Sequence, residues 1–223
     1  TLGGTLFPYT TLFRSGKSET LTVENNPTDP ASGTHEITFS RECWIEADDF
    51  MEVPVPKYKR LTPNGPECRL KGAYLITCTG CKKDENGNVV EVYAEYDPNS
   101  PGGDPADGRK VKGATIHWVD AATALDAEVR VYSELFSDPA PDGADKDFLA
   151  CMNPDSLEVL TGCKVEPRMR DIAAAYDKTE KKGKTAPSFQ FMRLGYFCLD
   201  NKDCSEDHLV FNRSVTLKDS FKK

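Results

Sequence analysis

No apolar run in this sequence approaches the roughly 18 to 20 residues that a membrane span requires, and no Lys- or Arg-led apolar opening of secretory shape begins it. Cysteine is too sparse for a disulfide scaffold. Eight thiols (Cys43, Cys68, Cys78, Cys81, Cys151, Cys163, Cys198 and Cys204) in 223 residues fall below the roughly 8–10% typical of such scaffolds, and a chain this long can build its core without staples. The thiols therefore read as reduced and intracellular, and the chain is predicted to be cytoplasmic. Positive charge is not in excess either: 28 Lys and Arg stand against 36 Asp and Glu, a net charge of −8. That excludes a uniformly basic nucleic-acid binder while leaving room for a local basic patch. With 38% apolar and 29% charged residues, 16 Gly and 15 Pro, the composition excludes a collagen, a coiled coil and wholesale disorder.

The chemistry of an active site is missing as well. His35, His117 and His208 lie far apart, with no HExxH and no GxSxG elbow around them. Cys78-Thr79-Gly80-Cys81 supplies one CxxC, but no second pair completes a zinc site, so structural thiols on a strand outweigh a zinc ribbon. Gly16-Lys17-Ser18 lacks the earlier glycine of a phosphate loop, because Thr11 stands there. The stretch from Asp97 begins like a calcium loop, yet Pro101 occupies a ligand position and Gly108 replaces the closing glutamate. It reads as a turn. No catalytic residue, metal ligand or cofactor-binding residue is singled out.

What is present is period-2 patterning. In Val89–Tyr96 one face carries Val90, Val92, Ala94 and Tyr96 while Glu91 and Glu95 point away, as a half-buried strand requires. Ala73–Cys81 is a second run, and Asp84-Glu85-Asn86-Gly87-Asn88 between them predicts a hairpin. Further strands are expected at His35–Ser40, Cys43–Glu46, Ala114–Val119, Glu128–Tyr132, Ser188–Leu199 and Leu209–Leu217, with a short helix at Asp145–Met152 and a turn at Asp171–Tyr176. Many short strands between Gly/Pro turns argue for β-barrels or a sandwich.

Charge is uneven. Lys57–Lys83 holds seven basic residues and one acid, a net +6 that leaves −14 for the rest; Arg109, Lys110 and Lys112 form a second basic point and Lys178–Lys184 a third, net +3. A solvated face is the bland reading of such runs. A positive stripe on an acidic body is also the footprint of a protein that meets phosphate in one place only.

The ends carry their own signals. The chain opens on Thr1 rather than Met and reads as a fragment. Thr5–Ser15 looks like the translation of a sequencing adapter, so residues 1–15 are expected to be a non-native leader outside the fold.

From Leu21 onward the chain resembles the C-terminal, anticodon-binding half of the glutaminyl-tRNA synthetase family. The resemblance is carried by Glu24–Pro27 (ENNP), Phe39–Glu42 (FSRE), Asp107–Gly113 (DGRKVKG), Ile116–Val119 (IHWV), Asn153–Gly162 (NPDSLEVLTG), Gly195–Asp200 (GYFCLD) and Val210–Asp219 (VFNRSVTLKD). It implies an all-β fold of two packed β-barrels, a proximal one from 16–56 and 120–223 and a distal one from 57–119. It also implies an RNA-binding site for three splayed anticodon bases: Arg69 for the first, Lys59 and Arg60 for the third, Gln190 with Arg193 for the second. Those residue types suit the task, since unstacked loop bases are read on their Watson–Crick edges by planar forks, amides and point charges.

The partners so implied are the tRNA(Gln) anticodon loop and the enzyme's own catalytic domain, which this chain lacks, with no DNA and no membrane. The parent enzyme would use ATP to attach glutamine to that tRNA; the fragment would hold no cofactor and catalyse nothing. Correct anticodon contacts would favour a competent distant active site, a coupling of about 1 to 3 kcal/mol. There are departures from the pattern: Thr62–Cys68 is about one residue long, Met192 replaces an expected glutamate, Lys178–Lys184 is enlarged, and a further family arginine falls upstream of Leu21. The same domain of a glutamyl or non-discriminating synthetase, and a non-catalytic RNA-binding β-barrel, remain as alternatives.

Overall fold

The computed structural model describes residues 7–11, 17–143, 145–179 and 185–217. The chain forms two compact units, Gly3–Leu125 with Lys164–Pro167, and Asp126–Cys163 with Arg168–Lys223. Their architecture is mostly strands, fourteen with a single α-helix among the described residues.

The first unit contains β1 (Phe7–Thr11), β2 (Glu19–Glu24), β3 (Thr34–Phe39), β4 (Glu42–Ile45), β5 (Cys68–Leu70), β6 (Leu75–Lys83), β7 (Val89–Asp97), β8 (Thr115–Ile116) and β9 (Trp118–Asp120). β2 and β3 form a separate hairpin, and the others make one seven-stranded sheet in the order β8-β5-β6-β7-β1-β4-β9. The predicted β6–β7 hairpin is present. Its turn is closed by Asp84, whose carboxylate accepts from the backbone N–H of Asn86 and Asn88, while Gly87 takes φ +83°, a conformation that asparagine or glycine tolerates best. The apolar face of β7 buries Val92 and Ala94 against Phe39, Ile45, Leu70, Ile76 and Ile116. Phe39 lies at the centre of that core, with ring centroids 5.3 Å from both Tyr74 and Trp118, in the tilted and edge-on arrangements that aromatic quadrupoles favour.

The second unit contains β10 (Leu125–Tyr132), β11 (Leu157–Val165), α1 (Arg168–Ala175), β12 (Ser188–Phe191), β13 (Gly195–Leu199) and β14 (Leu209–Val215), with its five strands ordered β11-β10-β14-β13-β12. Its core is phenylalanine-rich. Phe191 stacks on Phe197 at 4.4 Å and meets Phe211 edge-on at 5.3 Å.

The all-β expectation holds, and two closed barrels are not shown among the described residues. The seven-stranded sheet ends at β8 and β9, strands of two and three residues separated only by His117. The stretch thus pairs with β5 through its first half and with β4 through its second, and the kink at His117 interrupts the ladder. Phe39, Cys43, Ile45 and Phe50 share one core with Leu61 through Trp118. Asp145–Met152 yields only a short 3-10 turn, Phe148–Cys151, capped by the Asp147 carboxylate. The α-helix forms instead at Arg168–Ala175, where Ala173, Ala174 and Ala175 supply the strongest helix former.

Of the expected leader, residues 1–6 and 12–15 lie outside the described residues, as do Gly16 and the end of the Lys178–Lys184 loop. Phe7–Thr11 is not outside the fold: its backbone pairs antiparallel with β4 and parallel with β7, filling the slot between two strands that would otherwise present open edges. All eight cysteines are unbridged. No helix among the described residues is long and apolar enough to cross a membrane.

Candidate nucleic-acid interface

In β5 the alternation Cys68-Arg69-Leu70 buries the outer two side chains and turns Arg69 outward, as the strand period of two dictates. The segment after Arg109 then ties the neighbouring cations together. The Ala114 N–H donates to the Lys59 carbonyl at 2.7 Å, the Arg69 N–H donates to the Ala114 carbonyl at 3.1 Å, and the Gly113 N–H donates to the Glu67 carbonyl at 3.0 Å. Gly113 permits this approach, since a Cβ there would lie 2.1 Å from the Glu67 carbonyl oxygen and 2.7 Å from Cys68 Sγ. Lys59, Arg60 and Arg69 are thereby gathered on one cluster of loops at the edge of the seven-stranded sheet.

Each arginine is oriented by oxygen. Arg69 Nε donates to the Gly103 carbonyl at 2.7 Å and Nη2 to Asp104 at 3.3 Å. Gly103 has φ +89°, and a Cβ there would press within 3.2 Å of the Arg69 stem, so the backbone turn that holds this side chain needs glycine. Arg60 Nη1 donates to the Asp48 carbonyl at 2.9 Å, and its Nε stands 3.5 Å from the buried Asp49 carboxylate. Tyr58 donates to the same Asp48 carbonyl at 3.0 Å, and burial raises its phenol well above the ordinary tyrosine value.

Arg109 staples the surrounding loops. Its fork takes both oxygens of Glu67, at 2.9 and 2.7 Å, and reaches Asp97 at 2.7 Å and Asp107 at 3.0 Å. Hydrogen bonding from the Arg109 side chain holds Asp97 below the usual carboxylate range, and donation from the Arg109 backbone does the same for Asp107. Because Glu67 is two residues before Arg69, this staple fixes the strand that carries Arg69.

The second unit presents a different site. On the β12–β13 hairpin Phe189 and Phe191 turn inward while Gln190 is exposed. Gln190 lies directly opposite Tyr196, a residue 45% exposed, which places an amide and an aromatic side chain on neighbouring strands. Arg193 sits in the connecting turn with φ +66°, in a turn closed by Leu194 N–H donating to the Phe191 carbonyl at 2.9 Å. A non-glycine residue in that region is uncommon and is found at sites where the surroundings impose it.

Of the five expected site residues, the structure thus gathers Lys59, Arg60 and Arg69 in the first unit, and Gln190 and Arg193 in the second. Sequence reasoning missed three participants. Lys71 follows Arg69 at the same strand period and is exposed, a signal available in the alternation itself. Tyr196 could have been found from the GYF string opposite Gln190. Asp104 had no local signal, since it meets Arg69 from 35 residues away.

Two family models, both described as the anticodon-binding domain of class I tRNA synthetases for E and Q, match residues 9–97 and 115–200. The chain belongs to this family of anticodon-binding domains. The chain is similar to glutamine–tRNA ligases. It is 49% identical over 211 residues to the glutamine–tRNA ligase of Vibrio campbellii, 48% over 212 residues to that of Clostridioides difficile, and 48% over 212 residues to that of Bordetella pertussis. Each match covers 95% of this chain and 34 to 36% of the relative, so the chain spans about a third of the length of the curated relatives it matches.

Proposed function

We propose that this chain reads the anticodon loop of tRNA(Gln) for an enzyme that attaches glutamine to that tRNA with ATP in the cytoplasm. Arg69 reads the first anticodon base, Lys59 and Arg60 the third, and Gln190 with Arg193 the second. Tyr196 offers a stacking face beside Gln190, of the kind on which unpaired bases are held. The observation that carries the reading is the stitch through Ala114, which fastens Lys59 and Arg69 to one short segment and concentrates cations on a chain of net charge −8. In this proposal the seven-stranded sheet serves as a barrel whose seam is Thr115–Asp120, and the remainder of the parent enzyme supplies the ATP and glutamine sites.

The test is equilibrium binding of the 223-residue chain to a glutamine-anticodon stem–loop and to three versions, each with one anticodon base exchanged. Every exchange is expected to weaken binding about 10-fold or more, as the loss of a good base contact does. Equal binding of all four loops would overturn the reading.

A further inference from the structure

Both arginines of the first unit's site stand beside a carboxylate, a feature that base reading does not by itself require. For Arg60 the partner is Asp49, fully buried, whose own backbone carbonyl accepts from the Leu61 N–H at 3.0 Å. Asp49 therefore belongs to the fold. Asp104 is a different case: its side chain is 86% exposed, and among the described residues its carboxylate meets only Arg69.

A bare guanidinium attracts any RNA phosphate, and such contacts are indifferent to sequence. A carboxylate 3.3 Å from Nη2 cancels most of that net charge at a distance, because opposite charges so placed look like a dipole from several ångströms away. It does not remove the donors. Nε is already fixed on the Gly103 carbonyl at 2.7 Å, which sets the plane of the fork, and among the described residues Nη1 has no hydrogen-bond partner. What remains is an oriented donor of low net charge. That combination suits an uncharged base edge and discourages a phosphate.

Resting on the proposed anticodon reading, we propose that Asp104 is a specificity-determining residue: it makes Arg69 a reader of neutral acceptor edges and a poor trap for the RNA backbone. The prediction is counter-intuitive for an acid in an RNA site, since removing its charge should strengthen binding in general while degrading discrimination.

The experiment measures binding of the 223-residue chain and its Asp104→Asn variant to the glutamine-anticodon stem–loop and to a loop exchanged at the first anticodon base, across a potassium chloride series. Asn keeps the size and one acceptor oxygen while removing the charge, with an NH2 donor in place of the second oxygen. The exchanged loop is expected to bind about 3- to 10-fold tighter to Asp104→Asn, with a smaller gain for the cognate loop. The plot of log affinity against log salt should steepen by about 0.7, one further phosphate neutralised on a single strand. Glu85→Gln, in the exposed β6–β7 turn, removes the same charge elsewhere and should change neither quantity. Adding Arg69→Ala to Asp104→Asn should abolish the gain.

An unchanged discrimination ratio, a response equal to that of Glu85→Gln, or a gain that survives Arg69→Ala would each overturn the proposal. If the unaltered chain fails to distinguish the two loops, the anticodon reading itself fails and this inference falls with it. If the unaltered chain distinguishes them and Asp104→Asn does so equally well, only the role of Asp104 is lost.

Discussion

The two units hold their proposed base readers with different tools, and the tools differ in how far along the chain they reach. In the first, the reader Arg69 is held by Gly103 and Asp104, 34 and 35 residues away, and its strand is stapled through Glu67 and Arg109, 42 residues apart. In the second, Gln190 and Tyr196 face each other across one hairpin. A long charged fork, although its strand turns it outward, takes its final direction from distant partners, whereas a short neutral amide on a regular strand inherits its direction from the pleat. The lesson is that charge-assisted reading is bought here with long-range contacts, and amide reading needs almost none.

The largest effect that could break this contrast is expected at Gly113. Gly113→Val drives a side chain into the Glu67 carbonyl and should destabilise the first unit by about 2 to 4 kcal/mol, the range of an overpacked or strained site. Both tryptophans, Trp44 and Trp118, belong to that unit, so urea unfolding followed by tryptophan fluorescence reports it directly. Amide exchange over Ser188–Leu199 should stay unchanged, and equal loss there would erase the distinction between long-range and local support.

Next in size are the readers themselves. Arg69→Ala should weaken binding of the glutamine-anticodon stem–loop about 10- to 100-fold, as loss of a charge-assisted contact does, with little change in salt slope while Asp104 offsets its charge. Tyr196→Ala should remove a stacking platform, about 5-fold or more, while Tyr196→Phe leaves affinity unchanged. Gln190→Ala should cost about 3- to 10-fold with the salt slope unaltered, in keeping with a neutral hydrogen bond. A larger loss of binding at Gln190 than at Arg69 would invert the comparison.

The smallest effect concerns acid. Because Asp97 and Asp107 sit below the usual carboxylate range in the folded chain, their contribution is complete above that range and is lost as pH falls through their lowered values. Amides of Asp97–Gly113 should lose protection only below about pH 4. In Arg109→Ala, Asp97 should titrate closer to the ordinary carboxylate range, as followed by its side-chain carboxyl resonance, while Asp107, held first by the backbone N–H of residue 109, should move less. The β12–β13 hairpin has no such acid dependence to lose.

Much of the strand content was legible because alternation is a local property. Val92 and Ala94 are buried where the pattern put them, and Asn86-Gly87 turns the chain as its tolerance of positive φ requires. The split of Ala114–Val119 into β8 and β9 was not legible, since the two halves pair with strands far apart in the sequence, β5 and β4. The helix was misplaced for a similar reason. Asp147 caps a turn whether or not a helix follows, and only the surroundings decided that none did.

For the site, residue types and order along the chain were enough to single out Lys59, Arg60, Arg69, Gln190 and Arg193, because a resemblance carried by strings such as GYFCLD and DGRKVKG preserves chemistry position by position. The sequence by itself determined which side chains can donate to a base and which faces of each strand are apolar, both being properties of residue identity and a period of two. Tertiary structure alone decided which backbone carbonyl aims Arg69, that an exposed acid stands beside it, and that Thr115–Asp120 serves two distant strands. Those facts depend on where the chain returns after tens of residues, and neither composition nor periodicity encodes that distance.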